Sequence, residues 1–177
     1  MINAAEIIRE ADRITMADRR NYFKGLDVLG IRNWLYCCGF DRHMPIEAYS
    51  TEVAILVPEG ILMQVRSWEN RLGFWGGEVQ PDELPLVGAQ RELFEETNLW
   101  VEMDEFEYVE TYKHSHTYPS GDVCLYTTYR YIVRYPVVPK IELDYESKGY
   151  EVLKYAIFKD HVDFIEIALS RLKESQI

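Results

Sequence analysis

The sequence predicts an α/β layer fold, and three observations predict it. Short apolar runs of strand length alternate with helix-length segments along the 177 residues. One segment, about Leu84 to Thr97, divides into an apolar and an acidic helical face. Apolar residues make up 47% of the chain, enough to bury a full core without disulfides or a structural metal. The simplest organisation is a domain over residues 49–177 preceded by an extension over 1–48.

In that extension Ala4, Ile7, Ile8, Ala11 and Ile14 recur at helical spacing and predict an amphipathic helix. Gly25 and Gly30 interrupt the chain beyond it, and Leu26–Phe40 is apolar and aromatic, with Trp34, Leu35, Tyr36 and Phe40. The plain reading is a mostly helical cap packed on the domain. A homodimer surface or a wall of the substrate pocket stays open beside it, since aromatics are enriched in both. Arg19, Arg20 and Arg32 read as solvated surface charge.

Thr51–Val57 and Ile61–Val65 are apolar runs joined by Pro58-Glu59-Gly60, which predicts a hairpin. Ser67–Gly73 is a polar loop, and Phe74-Trp75 leads into Gly76-Gly77. Such a pair lets bare backbone come close to whatever lies opposite. Pro81, Asp82 and Pro85 then mark a turn and a helix start. With Glu92 at 0° and about 100° per residue, Glu96 falls near 40° and Glu95 near 300°. Leu86, Val87, Leu93, Phe94 and Thr97 lie on the opposite side, and Arg91 stands four residues before Glu95, within pairing reach. Gln90 falls in the apolar stripe with no evident reason.

Three like charges on one face destabilise a helix, and the common reading of such a face is that water solvates it. Here the acids come after a Trp-Gly-Gly turn, and clustered hard oxygens short of cations call for Mg²⁺ or Mn²⁺. Further on, Val109–Lys113 and Cys124–Val133 read as strands around a polar loop, His114–Asp122. His114-x-His116 lacks the companions of a zinc site, and the loop is better read as touching substrate or water. Pro136 and Pro139 bound a loop holding Glu142, Asp144 and Glu146. Leu153–Phe158 reads as a last strand, and Asp160 caps a helix to Lys173 with Val162, Ile165, Ala168 and Leu172 on one face.

Composition limits the partners. The net charge of −11 disfavours nucleic acid and anionic membrane, and a polyphosphate would need a cation between it and the chain. No apolar run of about 18 residues is present. The N-terminal segment lacks an apolar signal core and carries Glu6, Glu10 and Asp12, against a transit peptide. Three cysteines, with Cys37 and Cys38 adjacent, make no disulfide framework and read as reduced thiols of a cytoplasmic protein.

The stretch Gly77–Leu99, G-x5-E-x7-R-E-L-x-E-E-x-N-L, resembles the Nudix hydrolase box, G-x5-E-x7-R-E-U-x-E-E-x-G-U with U apolar. Gly77, Glu83, Arg91, Glu92, Leu93, Glu95, Glu96 and Leu99 all match. Asn98 stands where the family has Gly, and Asn is the next most tolerant residue in a left-handed helix end. Trp75 stands where the family usually has proline.

The resemblance implies a Nudix α/β/α sandwich with a mixed sheet over about residues 50–175. It implies Glu92, Glu95 and Glu96 as ligands of Mg²⁺, or of Mn²⁺, with the Gly76–Gly77 backbone helping to place the ion. Arg91 joins them in the catalytic set, and Glu83 holds them in place. The general base is one of the helix glutamates or an acid of the later loop, where Glu146, Asp144 and Glu142 are the candidates. Trp75, His114, His116 and Tyr118 are candidate substrate contacts. The implied reaction cleaves a pyrophosphate bond in a nucleoside diphosphate derivative, a nucleotide sugar such as ADP-ribose or a nucleoside triphosphate. The alternative is a nucleotide-sensing module on the same fold without catalysis, for which loss of box acids would be expected. A prenyl diphosphate isomerase would lean on Cys124, and a calcium-binding domain is disfavoured by the lack of a D-x-D-x-D-G loop.

Overall fold

The computed structural model describes residues 2–3, 46–67, 71–80, 82–117, 123–154 and 162–174. The expected helix over 4–14, the aromatic segment 26–40, Tyr118 and the cap at Asp160 lie outside the described residues.

Among the described residues, seven strands form one mixed sheet. They are β1 (Ile2–Asn3), β2 (Ile46–Val57), β3 (Gly60–Arg66), β4 (Leu72–Gly73), β5 (Glu107–Thr117), β6 (Val123–Arg134) and β7 (Ser147–Leu153). The order is β4-β3-β2-β6-β5, with β1 beside β2 and β7 beside β3. β2 runs parallel to β6 from Ile46↔Cys124 to Leu56↔Arg134. It pairs with β3 only over Ile55–Val57, antiparallel, because bridges at Ser50↔Glu78 and Val53↔Trp75 take the earlier part of that edge. The segment after the hairpin thus wedges into the sheet and delivers Gly76 and Gly77 to its middle.

β2 is buried at every position from Val53 to Val57, as a strand covered on both faces must be. Alternation of side chains assigns its residues to two cores. Val53, Ile55 and Val57 pack with Leu62, Trp75, Leu93, Tyr131 and Val133 beneath helix α1 (Pro85–Thr97). Ala54 and Leu56 pack with Ile61, Phe74, Ile132, Phe164, Ile165 and Ala168 beneath helix α2 (Val162–Glu174). Helix, sheet and helix make the three layers that alternating elements predict. No helix among the described residues is long and apolar enough to cross a membrane.

Two elements differ from expectation. β5 continues through Thr117, so His114 and His116 are strand residues, cross-paired with Tyr126 and Cys124, and not part of a loop. Ser147–Leu153 forms a strand, paired antiparallel with β3, that the sequence does not predict; of the strand expected at Leu153–Phe158, residues 155–158 lie outside the described ones. Lys148, Gly149 and Glu151 hide β7, since an edge strand with few buried positions shows little apolar alternation.

Candidate active site

α1 begins as its prolines predict, with Pro85 in the first turn and no side-chain cap at Leu84. It ends on Asn98 at φ 57°, ψ 22°, the left-handed residue expected there. Its packed arc includes Ala89, Gln90, Leu93, Glu96 and Thr97. Gln90 belongs there because its amide donates to the Val101 carbonyl at 2.7 Å. The arc is turned from the one expected. Phe94 points outward, edge-on to Trp100, and Glu96 is 4% exposed on the inner side while Glu95 is an open 57%. The acids therefore do not form one solvated face.

Two separate clamps hold them. Arg91 is the first: Nε and Nη2 donate to the two Glu83 oxygens at 2.9 and 3.0 Å. Its Nη1 donates to Glu92 at 2.6 Å and to Glu95 at 3.1 Å, and Nη2 also reaches the Glu78 carbonyl at 3.0 Å. This fork gathers three carboxylates and the segment beyond Gly77 around one cation. The second clamp is neutral. The Gly76 N–H donates to Glu96 Oε2 and the Gln64 amide to Glu96 Oε1, each at 2.7 Å.

The glycines are required by contact. A Cβ on Gly77 would lie 2.6 Å from Glu92 Oε2, so the Glu92 carboxylate rests on bare backbone. Gly76 has φ +130°, and a Cβ there would strike the Thr51 carbonyl oxygen at 2.2 Å.

Burial governs the electrostatics. Desolvation pushes the Glu96 carboxyl up to about 8 against its two hydrogen bonds, with Glu92 and Glu146 adding repulsion. Desolvation also raises Glu92, partly offset by Arg91. Burial acts to raise Glu83 too, but the Arg91 and Gln80 bonds together outweigh it and leave that carboxyl below its ordinary value.

Of the three loop acids, Glu146 is the one whose charge is felt at both Glu92 and Glu96. Its loop is fixed by Ser67, whose N–H donates to the Glu146 carbonyl at 2.8 Å. Asp144 turns back to accept from the Glu146 N–H at 2.9 Å. Glu142 turns away to Asn98 Nδ2 and Lys140.

Trp75 is not placed to touch substrate. It is fully buried in the core under α1, and its Nε1 donates to the Leu62 carbonyl at 2.8 Å. The bridge to Val53 at the wedge turns the ring inward. His114 lies in a ring stack with Tyr112 and Tyr126, centroids 5.2 and 5.4 Å away, with Nε2 at 3.1 Å from Thr128 Oγ1. The Tyr126 hydroxyl donates to Glu78 Oε1 at 2.9 Å, linking this stack to the segment that Arg91 holds. His116 pairs in register with buried Cys124, farther along the same two strands. Sequence reasoning missed Gln64, Glu78 and Tyr126. Only Gln64 left a signal, as the one polar residue in the run Ile61–Val65.

A family model for the NUDIX domain matches residues 49–163 of this chain. The chain belongs to the NUDIX family. A MutT-like protein of Streptomyces ambofaciens is 36% identical over 64 residues, which is 34% of this chain and 40% of that protein. The match therefore spans well under half of the relative's length. Among solved structures, a bifunctional NMN adenylyltransferase/ADP ribose pyrophosphatase of Francisella tularensis, complexed with AMP and a Mn ion, superposes with TM-score 0.58 at 15% identity. That likeness covers 86% of this chain and 52% of the other. The dihydroneopterin triphosphate pyrophosphohydrolase of E. coli superposes with TM-score 0.53 at 17% identity, over 71% of this chain and 92% of that one. At these identities the likeness is one of fold. The NUDIX box accordingly sits on its family's architecture, with Arg91, Gly76 and Gly77 bracing the acids.

Among the described residues no three His, Cys, Asp or Glu side chains converge on one point as they stand. Arg91 Nη1 draws Glu92 and Glu95 toward itself, where it serves as their counter-charge.

Proposed function

We propose that this NUDIX protein is a divalent-metal-dependent hydrolase that cleaves a pyrophosphate bond in a nucleoside diphosphate derivative. The observation that carries the reading is the pair of half-buried Glu92 and buried Glu96, set against bare glycine backbone, with Arg91 on Glu92 and only neutral donors on Glu96. The donor set fits Mg²⁺, and Mn²⁺ as its substitute: the donors are hard carboxylate oxygens, and the missing Cβ of Gly77 leaves the Glu92 oxygens close-packed on backbone. A cation would also offset the desolvation, and the smaller mutual repulsion, that raise Glu92 and Glu96. The Francisella protein of the same fold holds AMP and a Mn ion, in agreement with this class of ligand.

Glu92, Glu95 and Glu96 would hold the ion. When bound, it supplies neutralisation of the phosphate oxygens and a more acidic water. Arg91 keeps Glu92 and Glu95 side by side, and Glu83 fixes Arg91. Gly76 fixes the inner oxygen of Glu96. Glu146 is the best placed of the loop acids to take the proton of the attacking water, since its charge reaches both Glu92 and Glu96 and Ser67 pins its loop. Substrate is a small molecule, and the net charge of −11 is unsuited to nucleic acid or an anionic membrane. A cytoplasmic setting agrees with Cys124 standing as a buried thiol outside any disulfide.

A pyrophosphate bridge needs the cation that three carboxylates bring, and a monoester does not; among bridged compounds, nucleotide sugars, ADP-ribose included, are placed slightly ahead of nucleoside triphosphates. The test is a panel of nucleotide sugars, dinucleotides, nucleoside triphosphates and phosphomonoesters in Mg²⁺, with products separated by chromatography. Turnover should appear on pyrophosphate-bridged compounds, and labelled water should enter a product at a phosphorus of that bridge. Turnover of monoesters alone would contradict the reading. Nucleotide binding without turnover would favour the sensing module.

A further inference from the structure

Gln64 is 2% exposed in the middle of a strand whose neighbours Ile61, Leu62, Met63 and Val65 are apolar. A buried amide costs free energy unless it is bonded, and a Leu or Met there would pack without that cost. β3 alternation sets Gln64 on the same face as Leu62, toward α1, where its Nε2 meets Glu96 Oε1 at 2.7 Å across 32 residues of sequence. Together with the Gly76 N–H it fixes both oxygens of Glu96.

The chemistry of this clamp differs from that of Arg91. A guanidinium neutralises the carboxylates it holds. An amide and a backbone N–H hold a carboxylate without cancelling its charge. Two of the roughly four lone-pair positions of Glu96 are used, and the others remain for an ion. Glu96 is thus oriented with no counter-charge of its own when it meets a cation, while Glu92 and Glu95 already share the charge of Arg91.

We propose that Gln64 is a positioning residue for the divalent cation, a neutral arm that fixes Glu96 while leaving its charge to the ion. The inference rests on the functional reading above and assigns a role to a residue outside the box. A merely structural Gln64 would stabilise the fold and leave the ion's affinity unchanged.

The test titrates Mn²⁺ into the chelator-stripped full chain and follows free Mn²⁺ by electron paramagnetic resonance, with circular dichroism to establish folding. Gln64→Met keeps the length and removes the donor, and its Mn²⁺ Kd should rise about 10- to 100-fold, the usual cost of losing a partner that orients a ligand. Gln64→Lys restores a donor but adds the charge, so it should melt higher than Gln64→Met in chelator yet bind Mn²⁺ no better. Native-like Mn²⁺ affinity in folded Gln64→Met overturns the role. Native-like affinity in Gln64→Lys overturns it as well, and that variant decides the matter if Gln64→Met does not fold. A native chain that takes up no Mn²⁺ overturns the functional reading itself, and this inference with it.

Discussion

Glu96 concentrates the chemistry of this protein in one side chain. Two good donors face it, yet burial beside Glu92 and Glu146 still pushes its carboxyl up to about 8. Between the ordinary 4.5 and about 8 the folded chain binds this proton more tightly than the unfolded chain does. Stability of the metal-free protein should therefore be greatest near pH 5 and fall as pH rises to about 8, by on the order of 1 kcal/mol per unit. Glu92 acts in the same direction, and Glu83, whose carboxyl is lowered, acts only below that window. Urea melts in chelator at stepped pH check this, and stability that climbs from pH 5 to 8 would show that Glu96 is ionised without cost. The acid's place in the box is visible in sequence spacing. Its burial is not, because spacing gives an angle around the helix and not the direction in which the helix packs.

At the scale of elements, α1 is anchored at its end by Asn98. The left-handed backbone suits glycine better, but the Asn98 side chain donates to Glu142 at 3.1 Å and ties the helix end to the loop before β7. The Glu142 N–H also bonds the Thr97 carbonyl at 3.0 Å, so the junction has a second strut. Asn98→Gly should consequently change stability by less than about 1 kcal/mol, relief of the backbone offsetting loss of an exposed bond. Thermal melts that show a larger loss would mean that Asn98 holds the loop by itself. The hairpin, α1, its left-handed end and the closing helix are legible in the sequence, since local periodicity and turn residues encode them. β7 is not, because Lys148-Gly149-Tyr150-Glu151 becomes a strand only through pairing with Met63–Val65. The reach of β5 to Thr117 is hidden for the same reason: β6 supplies the partners.

For the molecule as a whole, the split edge of β2 is what builds the site. β3 takes its last residues and the 75–78 segment its earlier ones, so Gln64 and Gly76 face Glu96 from two sides of the gap. The α1 half of the site is legible because one helix and the turn before it carry it within 23 residues. Gln64 and Glu146 come from β3 and from the loop before β7, and no local pattern joins them to α1. Trp75 shows the converse: an aromatic beside the glycine pair suggests a stacking contact, and tertiary packing places it in the core. If the acid cluster serves an ion and not the fold, metal and structure must separate in experiment. The decisive assay is turnover of the best pyrophosphate-bridged substrate before and after chelation and again after Mg²⁺ is restored, with circular dichroism recorded at each step. Turnover should vanish in chelator and return with Mg²⁺ while the spectrum stays constant; turnover that survives chelation, or a spectrum that collapses with it, would refute that role for the acids.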